Sequence, residues 1–312
     1  MRKAVLLLLL NLLLVGCGTA PDSPVQITES AGESWSFTDA LGRELTLQPP
    51  SSVVSLYGSF AECWMLAGGT LTGVTEDALN ERNLATDAAV VGTVKQPDPE
   101  KIIALAPDLV ILSADIAGHT KLDALLTEMQ IPHAYFRTDS FGQYLAMLRG
   151  FCTLTGQTDN YMRFGTDVQA EIEEAKARAD GSCPTVLLLR AYSTGVKAKA
   201  ADNLAGIILE DLGAVNIADS DASLLEDLSL EAIIRADPDF IFITVMGTDD
   251  GAAMASVARQ LSDNPAWQDL SAVKTGRCTV LEKDLFHYKP NARWGESYAV
   301  LADMLYPENV GE

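Results

Sequence analysis

Basic residues are scarce in this chain. Its 312 residues hold 22 Lys and Arg against 43 Asp and Glu, a formal net charge of -21 and a pI near 4.4. No run of Lys or Arg offers a basic patch, so a nucleic-acid surface is excluded, because phosphates would be repelled. Histidines number three, at positions 119, 133 and 287. They are too few and too scattered for a Zn or Mn cage, so no metal site is expected. His133 follows Pro132 in an apolar run and reads as structural. Five cysteines without a CxxC spacing make neither a disulfide scaffold nor a metal motif; a Cys183–Cys278 bridge remains open, as does any pairing of Cys63 and Cys152. There is no GxSxG elbow, no HExxH, no P-loop and no GxGxxG after a strand, and Ser59 has no His–Asp company. An enzyme, and with it a cofactor, is therefore the weaker expectation.

Long apolar runs are also missing, with one exception at the start. Arg2 and Lys3 lead into Ala4–Leu10 and, after Asn11, Leu12–Val15. This is the charged and apolar pattern of an export signal, too short to span a bilayer as a mature helix. It ends in Leu14-Val15-Gly16-Cys17, which resembles the bacterial lipobox. Residues 1–16 are thus expected to be removed and Cys17 to carry the acyl chains that anchor the protein outside the cytoplasm. Removal takes away two cations and no acid, so the mature chain is more acidic still. Residues 17–34, with Pro21, Pro24 and Gly32, read as a flexible tether.

From Trp35 onward, short apolar runs alternate with helical stretches. Strands are predicted at Ser52–Leu56, Leu71–Val74, Leu109–Leu112, His133–Phe136, Val186–Leu189, Phe240–Val245 and Cys278–Leu281. Helices between them imply parallel βα units with helices on both sheet faces. Glu100–Leu112 aligns without gaps on Glu231–Ile243, sharing Glu, two Ile, Pro and Asp ahead of four apolar residues. Such a repeat predicts two α/β lobes of like design, at residues 35–157 and 181–312. Between them, residues 158–180 read as one helix, with Val168, Ile172, Ala175 and Ala179 on a single stripe. About 20 residues at 1.5 Å each would reach roughly 30 Å, enough to cross from lobe to lobe and restrict closure.

The run Phe37–Leu47, then Pro49-Pro50, Val53–Leu56, Gly92 and Pro97–Ile111, resembles as a set the cluster-A substrate-binding proteins of ABC importers, over about residues 35–307. The resemblance implies the class III periplasmic-binding-protein fold, two mostly parallel Rossmann-like lobes bridged by a single long helix. It also implies a monomeric receptor that hands a ferric siderophore, haem or vitamin B12 to permease subunits and their ATPase. In that family one glutamate per lobe meets permease arginines, which points to Glu100 and Glu231. A plainer role for both is in the first turn of a helix, after Asp98 or Ser229. Glu62, three residues after Ser59, reads as a capping-box partner.

Ligands in such sheets bind beyond the carboxyl ends of strands and between lobes. Lys95, Arg137, Arg190, Lys197, Lys199, Lys289 and Arg293 all fall on or beside those ends, and Tyr57, Tyr192, Phe286, His287 and Tyr288 accompany them. Cations there suit carboxylates or phenolates of an anionic metal complex, with aromatic rings covering its apolar faces. The expected ligand set is accordingly Tyr57, Lys95, Arg137, Arg190, Tyr192, Lys197, Phe286, His287, Tyr288 and Arg293. A ferric siderophore fits this pattern best. Haem is an alternative through His287 or a tyrosine. A corrinoid is less favoured, since Val94 and Leu225 precede Glu100 and Glu231 where a stacking tryptophan would serve.

Overall fold

The computed structural model describes residues 32–307 apart from residue 248. The export signal, Cys17 and nearly all of the tether lie outside the described residues. The last residues given to the tether are already docked, since the Glu33 N–H donates to the Thr153 carbonyl at 2.9 Å.

Twelve strands are described. β1 (Trp35–Thr38) and β2 (Glu44–Leu47) form an antiparallel hairpin. β3 (Val53–Ser55), β4 (Gly73–Val74), β5 (Ala89–Val90), β6 (Leu109–Ser113) and β7 (His133–Phe136) make a parallel sheet in the order β5-β4-β3-β6-β7. β8 (Thr185–Tyr192), β9 (Gly195–Ala198), β10 (Val215–Asn216), β11 (Phe240–Val245) and β12 (Cys278–Val280) make the second sheet. Its order is β10-β8-β11-β12, all parallel, with β9 turned back antiparallel onto the end of β8.

Alternation along the strands explains how both faces are covered. Leu109 and Ile111 of β6, Val186 and Leu188 of β8, and Phe240 and Phe242 of β11 belong to one continuous core. Their neighbours turn the other way, Val110 and Leu112 into a second cluster and Leu187, Leu189, Ile241 and Ile243 into a third. Period-two side-chain direction on strands buried on both faces gives this arrangement. The shared core reaches through Val168, Ile172 and Ala175 of the bridging helix to Trp294, Leu301 and Leu305 of the final helix, Trp294–Leu305. Gly295 lets those helices approach closely, because a Cβ there would lie 2.1 Å from Glu171.

The bridge is helical from Thr158 to Lys176, widened into a π turn over Met162–Thr166. It is shorter than the sequence suggested. Ala179 lies beyond its end and is exposed, the backbone there making single turns back to Glu173, Ala175 and Lys176.

The internal repeat is structural as well as sequential. Asp98 caps the helix Pro99–Ala104, accepting the Glu100 and Lys101 N–H groups, and Ser229 caps Leu230–Ala236, accepting that of Ala232. Each helix unwinds through a left-handed residue, Ala106 (φ 45°) and Asp237 (φ 41°). The aspartate after each proline then staples the start of the neighbouring strand. Asp108 accepts the Ser51 and Ser52 N–H groups, and Asp239 accepts the Thr185 N–H and hydroxyl.

Candidate functional site between the lobes

A cavity of about 330 Å³ opens where the carboxyl ends of the two sheets face each other. Tyr57 enters it after β3, Ser113 at the end of β6, Asp115 and Ile116 after β6, and Asp139 after β7. From the other lobe come Arg190 of β8, Asp202, Asn203 and Leu204 after β9, Met246 after β11, and Phe286, His287 and Lys289 after β12. Larger hollows of about 440 and 530 Å³ exist, but each is lined by the first lobe alone.

Helix Gly58–Leu66 begins immediately after Tyr57, and its first N–H, from Gly58, donates to Asp77 Oδ2 at 2.7 Å. A side chain at Gly58 would collide with Asp77 and Ala78, so the turn presenting Tyr57 is close-packed. Burial pushes the Tyr57 hydroxyl up to about 12, and the nearby Asp77 charge adds to this, so the phenol is neutral. The capping-box role expected for Glu62 is not observed. The helix starts at Gly58 rather than after Ser59, and Glu62 instead pairs with Arg82 and accepts from Asn291 Nδ2 at 2.6 Å. Asn291 Nδ2 also donates to the Ser59 carbonyl at 2.8 Å, which ties the second lobe to the first.

Arg190 is the central cation. It is half-buried, its side chain makes no hydrogen bond or ion pair among the described residues, and its Nε is buried without an acceptor. His287 lies beside it and is held at about 4 by burial, with the charges of Arg190, Lys283 and Lys289 adding to the effect. Its imidazole is therefore neutral. Lys289 Nζ spans the cleft to Asp139 Oδ1 at 2.5 Å.

Four of the expected ligand residues thus meet in the cavity: Tyr57, Arg190, Phe286 and His287. Six do not. Arg137 is exposed and bound through Nε to Asp115 at 2.8 Å. Arg293, the N-cap of the final helix, is exposed and turned to Glu296 in that helix's first turn, at 2.6 Å. Lys95 and Lys197 are exposed, the latter on β9. Tyr192 is half-buried outside the cavity, and Tyr288 reaches Glu81 rather than the cavity. The residues missed, chiefly Asp115, Asp139, Asp202 and Asn203, obey the same strand-end rule. They carry acid or amide side chains, whereas an anionic ligand directs sequence reasoning to cations and aromatics.

Glu100 and Glu231 are exposed in the first turns of matched helices. His133 is buried and structural, its Nδ1 donating to the Ile131 carbonyl at 2.8 Å while Nε2 meets Asp123 and Arg43. His119 Nδ1 accepts the Ser113 N–H at 3.0 Å and Nε2 donates to the Val94 carbonyl at 2.8 Å, fixing the neutral tautomer. Cys63, Cys152, Cys183 and Cys278 are all free thiols. A Cys183–Cys278 bridge is ruled out by topology. Cys183 precedes β8 and Cys278 lies in β12, with β11 between them, so about two strand spacings of 4.8 Å separate their positions.

The periplasmic binding protein family model matches residues 53–285, from the first strand of one sheet past the last strand of the other. The chain belongs to the periplasmic binding protein family. This family comprises the solute-binding components of ABC importers and is not a family of enzymes. The Fe(3+)-citrate-binding protein YfmC of Bacillus subtilis is 25% identical over 291 residues, covering 89% of this chain and 88% of its own. YhfQ of the same organism, named for the substrate-binding lipoproteins of ABC transporters, is 26% identical over 298 residues, 88% and 89% of the two chains. Among solved structures, the iron uptake ABC transporter substrate-binding protein PiuA of Streptococcus pneumoniae superposes with a TM-score of 0.69 at 20% identity, covering 88% of this chain and 99% of that one. It shares the two-lobed fold with a bridging helix.

Proposed function

We propose that this binding protein captures an anionic ferric complex of the siderophore class in the cleft and delivers it to an ABC permease and its ATPase. The observation that carries the reading is Arg190, a half-buried cation in the cleft between the lobes with no carboxylate partner among the described residues. A buried guanidinium N–H without an acceptor, here that of Nε, is costly unless a ligand supplies one. Tyr57, His287 and Phe286 supply the neutral walls. The ferric citrate binding of YfmC supports the same ligand class.

The chain works in this proposal as a monomer outside the cytoplasm, tethered through acylated Cys17 after loss of residues 1–16. Its lobes are residues 35–157 and 181–312, joined by the bridge whose helix ends at Lys176. No helix among the described residues is long and apolar enough to cross a membrane, and YhfQ is named as a lipoprotein. Exposed Glu100 and Glu231, one on each half of the repeat, suit a two-point contact with permease arginines.

Haem is the second reading, favoured by the neutral His287 imidazole inside the cleft. A thermal-shift panel of ferric citrate, a ferric trihydroxamate, haemin and cobalamin decides between them. Ligand at 100 times its Kd stabilises by about 2.7 kcal/mol, which raises Tm by roughly 5–10 °C for a chain of this size. That shift is expected with ferric citrate; a shift with haemin alone assigns the cleft to haem, and no shift with any of the four refutes the ligand class.

A further inference from the structure

The cleft holds more acid than an anion site needs. Asp115, Asp139 and Asp202 line it together with Arg190 and Lys289. Two of these acids are neutralised by cations that do not line the cavity. Arg137 Nε donates to Asp115, and Lys199 Nζ lies 3.4 Å from Asp202 Oδ1. Asp139 differs, because its partner is Lys289 of the opposite lobe and both side chains face the cavity.

The Asp139–Lys289 pair is unequal. The Lys289 side chain is 19% exposed and that of Asp139 45%. Asp139 immediately precedes Ser140, the N-cap of the helix Phe141–Thr155, where Ser140 and Gln143 form a reciprocal capping box. Its own N–H donates to Gln143 Oε1 at 2.7 Å, which pins the backbone whatever the side chain does. A carboxylate leaving Lys289 would stay in water beside the positive end of a 15-residue helix. Lys289, with its side chain 19% exposed inside the cavity, would have no comparable refuge once deprived of an anion. The acid can leave, whereas the amine needs a replacement.

Building on the cleft-binding reading above, we propose that Asp139 is a tethered stand-in for the ligand: it occupies Lys289 in the empty cleft and is displaced by an anionic group of the incoming complex. The exchange sets specificity. A complex with two or more free anionic groups satisfies Arg190 and Lys289 together. One with a single anionic group leaves the pair in place across the cleft, and a cationic complex is held by Asp139 rather than opposed by it.

The test is calorimetric titration of the full chain with ferric citrate and with a ferric trihydroxamate bearing a free ammonium, using Asp139→Asn, Lys289→Gln and the double variant. Asparagine keeps the backbone bond to Gln143, so the fold is retained, with unchanged circular dichroism as the check. Asp139→Asn is expected to bind ferric citrate about two- to fivefold tighter, the range set by half-exposed ion pairs, and the cationic complex no tighter. Lys289→Gln is expected to weaken ferric citrate and to abolish the gain from Asp139→Asn. Unchanged or weaker ferric citrate binding by Asp139→Asn overturns the inference, as does an equal gain in the Lys289→Gln background. If the wild type binds neither complex, the cleft reading itself fails and this inference falls with it.

Discussion

Replacing Arg190 by methionine should stabilise the empty protein and cripple the loaded one. Arg190 sits near the end of β8, opposite Thr244 of β11 and Lys197 of β9. Its Nε is buried without an acceptor. An orphaned buried donor costs about 1–3 kcal/mol, and partial exposure of the guanidinium places this one near the lower end. Methionine keeps most of the apolar stem, so packing is little changed. The expected gain is about 1 kcal/mol, which raises Tm by roughly 2–4 °C. The same change removes charged hydrogen bonds to the ligand worth about 1.5–3 kcal/mol, weakening Kd roughly 10- to 150-fold. Scanning fluorimetry reads the first effect and calorimetric titration with ferric citrate the second. The Arg190 charge also helps to depress His287, so its imidazole resonances should titrate at higher pH in the variant. A lowered Tm together with unchanged affinity would make Arg190 a structural cation and refute the reasoning.

Three further outcomes follow from the geometry. Burial holds His119 and His287 at about 4, against about 6.5 in an unfolded chain. The unfolded state takes up protons that the folded state refuses, so stability is full above pH 6.5 and declines towards pH 4. Urea unfolding across that window should show a decline that His119→Gln reduces; a flat profile in the wild type would exclude it. Gly295→Ala sets a Cβ against Glu171 and should lower stability by about 1–3 kcal/mol, whereas an unchanged Tm would show that the two helices yield freely. Charge reversal at Glu100 or Glu231 should abolish cellular uptake and leave affinity for the complex unchanged; a lost affinity would remove that residue from the docking role.

All seven expected strands are present, because runs such as Phe240–Val245 are buried on both faces and their apolar character is continuous. β5 and β10, at two residues each, carry too little pattern to be read. The β1–β2 hairpin depends on Gly42 (φ 81°) and on Asp39, which accepts the Leu41 and Arg43 N–H groups, a tertiary detail invisible to periodicity. β8 runs on to Tyr192 because β9 folds back against it, so Arg190 is a strand residue with a fixed direction rather than part of a loop. Strand ends located the cleft, but not which way each side chain turns. Arg137 is claimed by Asp115, 22 positions away in sequence, which nothing local reveals. Arg293 was legible in principle, since Glu296 stands three residues on in a helix and forms the usual surface pair.

The central claim is that one anionic ferric complex is gripped by both lobes. Hydrogen exchange read by mass spectrometry, with and without saturating ferric citrate, tests it most directly. Protection is expected at Tyr57–Ser59 and Ser113–Ile116 of the first lobe and at Arg190–Tyr192 and Phe286–Lys289 of the second, at a stoichiometry of about one iron per chain, as a single cleft requires. Protection confined to one lobe, or found only at the outer groove beside Trp35 and Phe37, would contradict it.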